Sequence, residues 1–167
     1  DEVQKMLDAP VLRTRLGYRD RVMLEILYDT GIRRAELGNS KLIDIDLRNG
    51  YIHVKGKGGR ERVVPVSHRV CGLIKNYILF VRPTFLHKNE QDKGYVFLSI
   101  RSQRMNDRTI LDIVKRNAKR AGLKKNVTTH SFRHTCATHM LKNGAPVRHI
   151  QEMLGHESLE STQIYTR

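Results

Sequence analysis

Residues 130–167, HSFRHTCATHMLKNGAPVRHIQEMLGHESLESTQIYTR, are the most informative part of this chain because regular helix signals there accompany histidine, arginine and tyrosine side chains. The spacing predicts three helices, over 129–143, over 146–155 and from 158 to the end of the chain. Threonine, proline and serine stand at their starts, and the glycines Gly144 and Gly155 end the first two. This segment is therefore predicted to be helical almost throughout.

The rest of the chain predicts more helices and one hairpin. Helix signals indicate helices over residues 1–9, 19–30, 33–38, 67–80 and 107–121. Apolar residues recur at helical spacing in 19–30, which Gly31 is expected to end, and Asn106 or Asp107 can cap 107–121. Two strands, 51–54 and 62–66, flank the glycine-rich turn GKGGRE, and a polar loop over 83–94 precedes a short extended piece at 95–99. The sequence therefore predicts an α+β fold that is mainly α-helical, with a small antiparallel β-sheet on one side.

The charge balance of the chain points to its class of partner. Its 167 residues suit one domain, and 31 basic against 17 acidic residues give a formal net charge of +14. A surplus of this size favours a polyanionic partner, with nucleic acid as the leading candidate. Charge alone leaves a generic basic surface open as the alternative.

The cysteines and the hydropathy pattern bear on location. Cys71 and Cys136 form no CxxC pair, which favours reduced thiols in a cytosolic setting over a disulfide framework. No apolar run approaches the roughly 20 residues that cross a bilayer, and no signal peptide is recognisable. We therefore predict a cytoplasmic protein without a membrane partner. Because the first residue is not methionine, we expect an excised domain.

Arg33 and Arg133 are candidate phosphate ligands. Attack on a phosphodiester builds negative charge on two non-bridging oxygens, and a guanidinium group offers those oxygens two parallel donors while staying charged. Each arginine lies near a predicted helix start, where backbone N–H groups also favour phosphate. Either one alone is more often a surface charge, and the neighbouring Arg34 keeps that interpretation.

His130 and His156 are candidate hydrogen-bond donors or proton carriers near neutral pH. His130 precedes Arg133 by three residues, so both side chains point the same way on a helix. His130 and His134 also have the spacing of a zinc pair, but no cysteine or carboxylate completes a convincing set of ligands. We predict no metal site.

Lys57 and Tyr165 complete the set of candidate residues. A lysine at a hairpin tip can protonate a departing 5′-oxygen, a poor leaving group, although Lys55 or Arg60 could equally hold the phosphate backbone. Tyr165 would be the nucleophile. Its phenol has an ordinary pKa near 10, so it needs neighbouring positive charge to react.

In order and spacing these residues resemble the tyrosine recombinase (phage integrase) family over nearly the whole chain. TGIRRAEL looks like the first arginine motif of the family, with Arg33 at the catalytic position and Glu36 as its acidic neighbour. Lys57 falls where the hairpin lysine is expected. HSFRHTCATHML looks like the HxxR box, which gives His130 and Arg133.

The closing box of the family is similar to LGHESLESTQIYTR, with His156 followed nine residues later by Tyr165. The sequence of these motifs resembles that of bacterial Xer-like and mobile-element integrases more than that of type IB topoisomerases. The resemblance implies that residues 1–167 are a catalytic domain. It also implies that the N-terminal DNA-clamping domain and the C-terminal tail of the family are absent here.

The resemblance implies an enzyme that cleaves and rejoins duplex DNA through a 3′-phosphotyrosyl link, without metal, ATP or another cofactor. The full-length protein is expected to be a homotetramer on paired sites and nucleoid-associated, in a prokaryote, phage or mobile element. The fragment alone is expected to be a monomer. Two alternatives stay open: a topoisomerase-like DNA relaxer and a non-catalytic basic DNA-binding module.

Overall fold

Residues 2–155, the part of the chain that the computed structural model describes, contain seven α-helices and one three-stranded sheet. The helices are α1 (Glu2–Asp8), α2 (Arg15–Thr30), α3 (Arg34–Asn39), α4 (His68–Asn76), α5 (Asp107–Arg120), α6 (Thr129–Lys142) and α7 (Val147–Leu154). The strands are β1 (Ile45–Asp46), β2 (Tyr51–Lys55) and β3 (Glu61–Pro65). The predicted α+β class, mainly α-helical with a small antiparallel sheet, is confirmed.

Departures from the predicted helix limits have local causes. α2 begins earlier than predicted because the Thr14 hydroxyl accepts a hydrogen bond from the Gly17 N–H at 3.0 Å and caps the helix there. After α4 the chain continues as a π-helical turn, Tyr77–Val81, and a 3₁₀ turn, Arg82–Phe85. The loop predicted to begin at 83 therefore starts only after these turns.

Two smaller expectations need correction. The extended piece predicted at 95–99 is present only as isolated bridges, one of which pairs Lys41 with Tyr95. Pro146 is the N-cap residue of α7 and does not lie in its first turn.

The sheet is antiparallel, in the order β1-β2-β3. In the hairpin Ile52 pairs with Val64, and Val54 pairs with Arg62. The three aliphatic residues are buried, so this face of the hairpin belongs to the core. The predicted glycine-rich turn contains a short 3₁₀ segment, Lys57–Gly59, at the hairpin tip. The two-residue β1 is too short to be recognised from a sequence pattern.

α2 is the central helix and packs against α1, α3, α4 and α6. Its side chains Val22 and Leu24 are fully buried. A smaller apolar cluster of Ala137, Ile150 and Leu154 holds α7 against α6. Within residues 2–155, no helix combines the length and apolar character that a membrane span requires.

Gly31 ends α2, as predicted, and allows α7 to pack on that helix end. Its φ of 68° lies in the left-handed region, and its N–H donates to the Leu27 carbonyl at 3.0 Å. A Cβ at this position would lie 2.5 Å from Leu154 Cδ2 and 3.2 Å from Cys136 Sγ. Glycine is therefore required here both for the backbone conformation and for the space.

We expect Gly31→Ala to destabilise the protein more than Gly144→Ala. Both positions have positive φ, 68° and 84°, but an added Cβ meets no atom within 4 Å at Gly144. The shared backbone penalty is about 1 to 2 kcal/mol, and crowding against Leu154 adds about 1 to 3 kcal/mol. Urea unfolding of the two variants measures the difference. Equal losses of unfolding free energy would show that the packing of α7 against the end of α2 does not restrict position 31.

Candidate active site

Arg33 lies in the turn between α2 and α3, as the N-cap residue of α3. An arginine side chain has no acceptor atom with which to cap a helix. Instead, the Glu36 carboxylate in the first turn accepts the backbone N–H of Arg33 at 2.8 Å. This contact fixes the backbone from which the guanidinium group extends, while the side chain of Arg33 remains 47% exposed.

Arg133 lies on α6, and its side chain is buried against the ends of α2 and α7. The residue is only 5% exposed. Its Nη1 donates to the carbonyl oxygen of Gly31, and its Nη2 donates to the carbonyl oxygen of Leu154 at 3.1 Å. The Thr128 hydroxyl starts α6 by accepting the Ser131 N–H at 3.3 Å, which places Arg133 just beyond the first helical turn.

The guanidinium groups of Arg33 and Arg133 meet at one atom, the carbonyl oxygen of Leu154. Arg33 Nη1 approaches that oxygen at 3.5 Å, a longer contact than that of Arg133. Leu154 is the last residue of α7, where unpaired carbonyls form the negative end of the helix dipole. Two arginines far apart in sequence are thus brought together, and the helix end partly balances their like charges.

Arg62 joins the same cluster and was not anticipated as a site residue from the sequence. Its Nη1 and Nη2 form a bidentate ion pair with Glu36, at 2.6 and 2.9 Å. Its Nε donates to the Met153 carbonyl at 2.8 Å. One signal could have revealed it: in the predicted strand, Arg62 shares the alternating row of Val64 and Val66, which are buried.

Glu36 is a buried carboxylate that stays ionised. Burial by itself would raise the pKa of Glu36. Hydrogen bonds from Arg62 and from the Arg33 N–H, together with the charges of both arginines, outweigh burial and hold the pKa of Glu36 below its ordinary value of 4.5. The carboxylate is therefore a stable negative charge between two guanidinium groups.

A protonated thiol lies beside this cluster. Cys71 and Cys136 are both free and buried. Burial, reinforced by the charge of Asp29 and opposed by that of Arg133, raises the pKa of Cys136 to about 11. Its side chain is therefore a neutral packing group behind the arginines, next to Gly31.

His130 and Lys57 lie on the two elements that also carry Arg133 and Arg62. His130 is exposed in the first turn of α6, one turn before Arg133. Lys57 is exposed at the tip of the β2–β3 hairpin, beyond Arg62. Neither side chain has a hydrogen bond or ion pair within the described part of the chain. The roles assigned to both residues stay predictions.

His156 and Tyr165 lie outside the described residues, so their predicted roles are untested by the geometry. The last described residue, Gly155, has a φ of 72° and ends α7 as predicted. Its N–H donates to the Glu152 carbonyl. Among residues 2–155, no three His, Cys, Asp or Glu side chains cluster closely enough to hold a metal ion.

Comparison with known proteins places the chain in a family. The model of the phage integrase family matches residues 1–167. The chain belongs to the phage integrase family. Tyrosine recombinase XerD of Staphylococcus saprophyticus subsp. saprophyticus is 42% identical over 166 residues, which cover 99% of this chain and 56% of that relative. The chain therefore spans just over half the length of the curated relatives it matches.

Solved structures agree with this assignment. The crystal structure of XerA recombinase has a TM-score of 0.87 and 35% identity, over 100% of this chain and 58% of that one. XerH site-specific recombinase bound to its difH substrate, in a pre-cleavage complex, has a TM-score of 0.83 and 28% identity. That match covers 99% of this chain and 48% of XerH. The predicted recombinase catalytic-domain fold is confirmed.

We expect Glu36→Gln to lower the free energy of unfolding by about 3 kcal/mol at neutral pH, because it leaves the largely buried Arg62 without a counter-charge. The pKa of Glu36 is depressed in the folded protein, so its stabilisation is present above pH 4.5 and is lost as pH falls through the folded pKa. Urea unfolding at several pH values between 7 and 3 should show the deficit of the variant shrinking below pH 4.5.

Asp92→Asn is the matched control for this measurement. Asp92 also accepts a bidentate pair of hydrogen bonds, from Arg82, but its side chain is 38% exposed. Asp92→Asn should lower the free energy of unfolding by less than Glu36→Gln, because solvent screens the ion pair of Asp92 with Arg82. A deficit of Glu36→Gln that stayed constant from pH 7 to pH 3 would contradict the assignment of an ionised carboxylate.

Proposed function

We propose that the chain is the catalytic part of a site-specific tyrosine recombinase, which cleaves and rejoins duplex DNA through a 3′-phosphotyrosyl intermediate. The observation that carries this proposal is the meeting of Arg33 and Arg133 at the Leu154 carbonyl. Bringing two like charges together is unfavourable, and an anionic ligand relieves that cost. Membership of the phage integrase family supports the same conclusion.

The two arginines are suited to divide the task of holding a phosphate. Arg133 is buried and uses both Nη atoms on backbone carbonyls, so its orientation is fixed. Arg33 is half exposed, and its Nη2 and Nε have no partner within residues 2–155. Arg33 can therefore direct donors toward a non-bridging oxygen, while Arg133 supplies a fixed positive charge behind it.

The reaction then follows from the residue types. The Tyr165 phenol loses its proton to water, its oxygen attacks the phosphorus, and the bond from phosphorus to the 5′-oxygen breaks. Lys57 donates a proton to that departing oxygen, which becomes a free 5′-hydroxyl. His130, His156 and the two arginines stabilise the charge on the five-coordinate phosphate. The phosphotyrosyl link preserves the bond energy, so rejoining by a 5′-hydroxyl requires no cofactor.

Duplex DNA is the proposed partner, in line with the net charge of +14. The related XerH recombinase has been captured with its difH substrate before and after cleavage. For the full-length protein we propose a homotetramer on two paired sites. A cytoplasmic, nucleoid-associated location in a prokaryote, phage or mobile element follows from the same proposal.

Covalent capture tests the proposed reaction. The chain is incubated with a pool of duplexes that carry a nick within a randomised region, so that a short cleaved product diffuses away and rejoining is prevented. We expect SDS-resistant protein–DNA adducts, and none with Tyr165→Phe. Arg33→Ala and Arg133→Ala should each slow adduct formation by about 100-fold to 1000-fold. Sequencing the captured DNA identifies the target.

Three outcomes contradict the proposal in different ways. Adducts that persist in Tyr165→Phe would exclude the nucleophile. DNA binding that is steeply salt-dependent but yields no adduct would indicate a non-catalytic binding module. Relaxation of supercoiled DNA, with no strand exchange between two labelled duplexes by the full-length protein, would indicate a topoisomerase-like enzyme.

A further inference from the structure

We propose that Arg62 is a positioning residue. It fixes the hairpin so that Lys57, at the hairpin tip, is correctly placed relative to Arg33 and Arg133. This inference rests on the proposed function, since it assigns a device for placing the general acid of that reaction. Arg62 itself is not proposed to touch DNA. Its side chain is only 13% exposed, and all three guanidinium nitrogens donate to groups of the protein.

Arg62 connects three segments that are distant in sequence. It belongs to β3, its bidentate partner Glu36 belongs to α3, and the carbonyl of Met153 that accepts its Nε belongs to α7. The planar guanidinium group fixes both distance and angle toward the carboxylate, which a lysine ammonium would not do. The hairpin therefore has a defined orientation relative to the two other segments.

The anchoring point is close to the hairpin tip. Arg62 pairs across the hairpin with buried Val54, whereas the next pair toward the tip, Lys55 with Glu61, is exposed. Gly56 lies against the same ion pair: a Cβ there would be 3.3 Å from Glu36 Oε2. Beyond this point, an added Cβ at either tip glycine meets no atom within 4 Å. Among the residues of β3, Arg62 is thus the one nearest the tip whose side chain is held by the protein interior.

The same carboxylate also fixes Arg33. One oxygen of Glu36, Oε1, accepts both the Arg33 backbone N–H and Arg62 Nη2. The hairpin, just below its tip, and the start of α3 are therefore hydrogen-bonded to the same oxygen atom. Because proton transfer requires close approach of donor and acceptor, a small displacement of Lys57 relative to the phosphate costs a large factor in rate.

The proposal predicts a defect that depends on the leaving group. Two nicked duplexes of the captured target sequence are compared, identical except that sulfur replaces the bridging 5′-oxygen at the scissile phosphate of one. A thiolate departs with its electron pair and requires no proton, because a thiol has a pKa near 8.5. A residue that acts only through the general acid therefore matters for the oxygen substrate and not for the sulfur substrate.

We expect Arg62→Gln to slow adduct formation on the oxygen substrate by at least about 30-fold, part of the roughly 100-fold or larger effect expected for Lys57→Ala. On the sulfur substrate, Arg62→Gln and Lys57→Ala should both react near the wild-type rate. Arg33→Ala should be slow on both substrates, because it acts on the phosphate oxygens. Arg62→Lys should show a smaller defect of the same kind.

Arg82→Gln is the matched control for lost stability. Arg82 is also a buried arginine, 4% exposed, with a bidentate carboxylate partner and a backbone carbonyl acceptor. At a temperature well below the unfolding transitions of all variants, Arg82→Gln should cleave both substrates at the wild-type rate. The double variant Glu36→Gln with Arg62→Gln removes both buried charges and should keep the preference for the sulfur substrate.

The outcomes separate this inference from the proposed function. If wild-type protein forms no adduct on either substrate, the proposed function fails and the role of Arg62 fails with it. If wild-type protein reacts, and Arg62→Gln is slowed by the same factor on both substrates, the role of Arg62 alone is overturned. The role of Arg62 would also be overturned if Arg62→Gln cleaved the oxygen substrate at the wild-type rate.

Discussion

The candidate active site depends on the C-terminal end of α7, where three guanidinium groups bind the last helix carbonyls. Arg62 donates to the Met153 carbonyl, and Arg33 and Arg133 donate to that of Leu154. A helix end has unpaired acceptors and partial negative charge, while clustered arginines have surplus donors and repel one another. Each group stabilises the other. The turn before α3, strand β3 and helix α6 are thereby held around one point.

Glu36 supplies the counter-charge within this cluster and limits how the arginines can move. Its carboxylate holds Arg62 by a bidentate ion pair and holds the backbone of Arg33 by a hydrogen bond. Arg133 is held by the backbone, since it donates to the carbonyls of Gly31 and Leu154. The negative charge of Glu36 is in direct contact with Arg62 and with the backbone of Arg33. The net positive charge of the cluster remains available for an anionic ligand.

The sequence predicted most helices because caps and apolar spacing are local signals, as in the asparagine cap of α5 and the threonine cap of α6. It also predicted Arg33 and Arg133 as a pair, although their shared acceptor, Leu154, depends on how α7 packs. Arg62 was missed because its importance arises from tertiary contacts with Glu36 and Met153. A charged residue in a buried strand row was the one available clue.

In the proposed reaction, Arg33 and Arg133 both act on the charge of one scissile phosphate. The most direct test replaces one non-bridging oxygen of that phosphate with a methyl group, which removes the charge, and measures adduct formation. Arg133→Ala should be slowed by about 100-fold or more on the ordinary phosphodiester and should react nearly as fast as wild-type protein on the neutral substrate. The same loss on both substrates would contradict it.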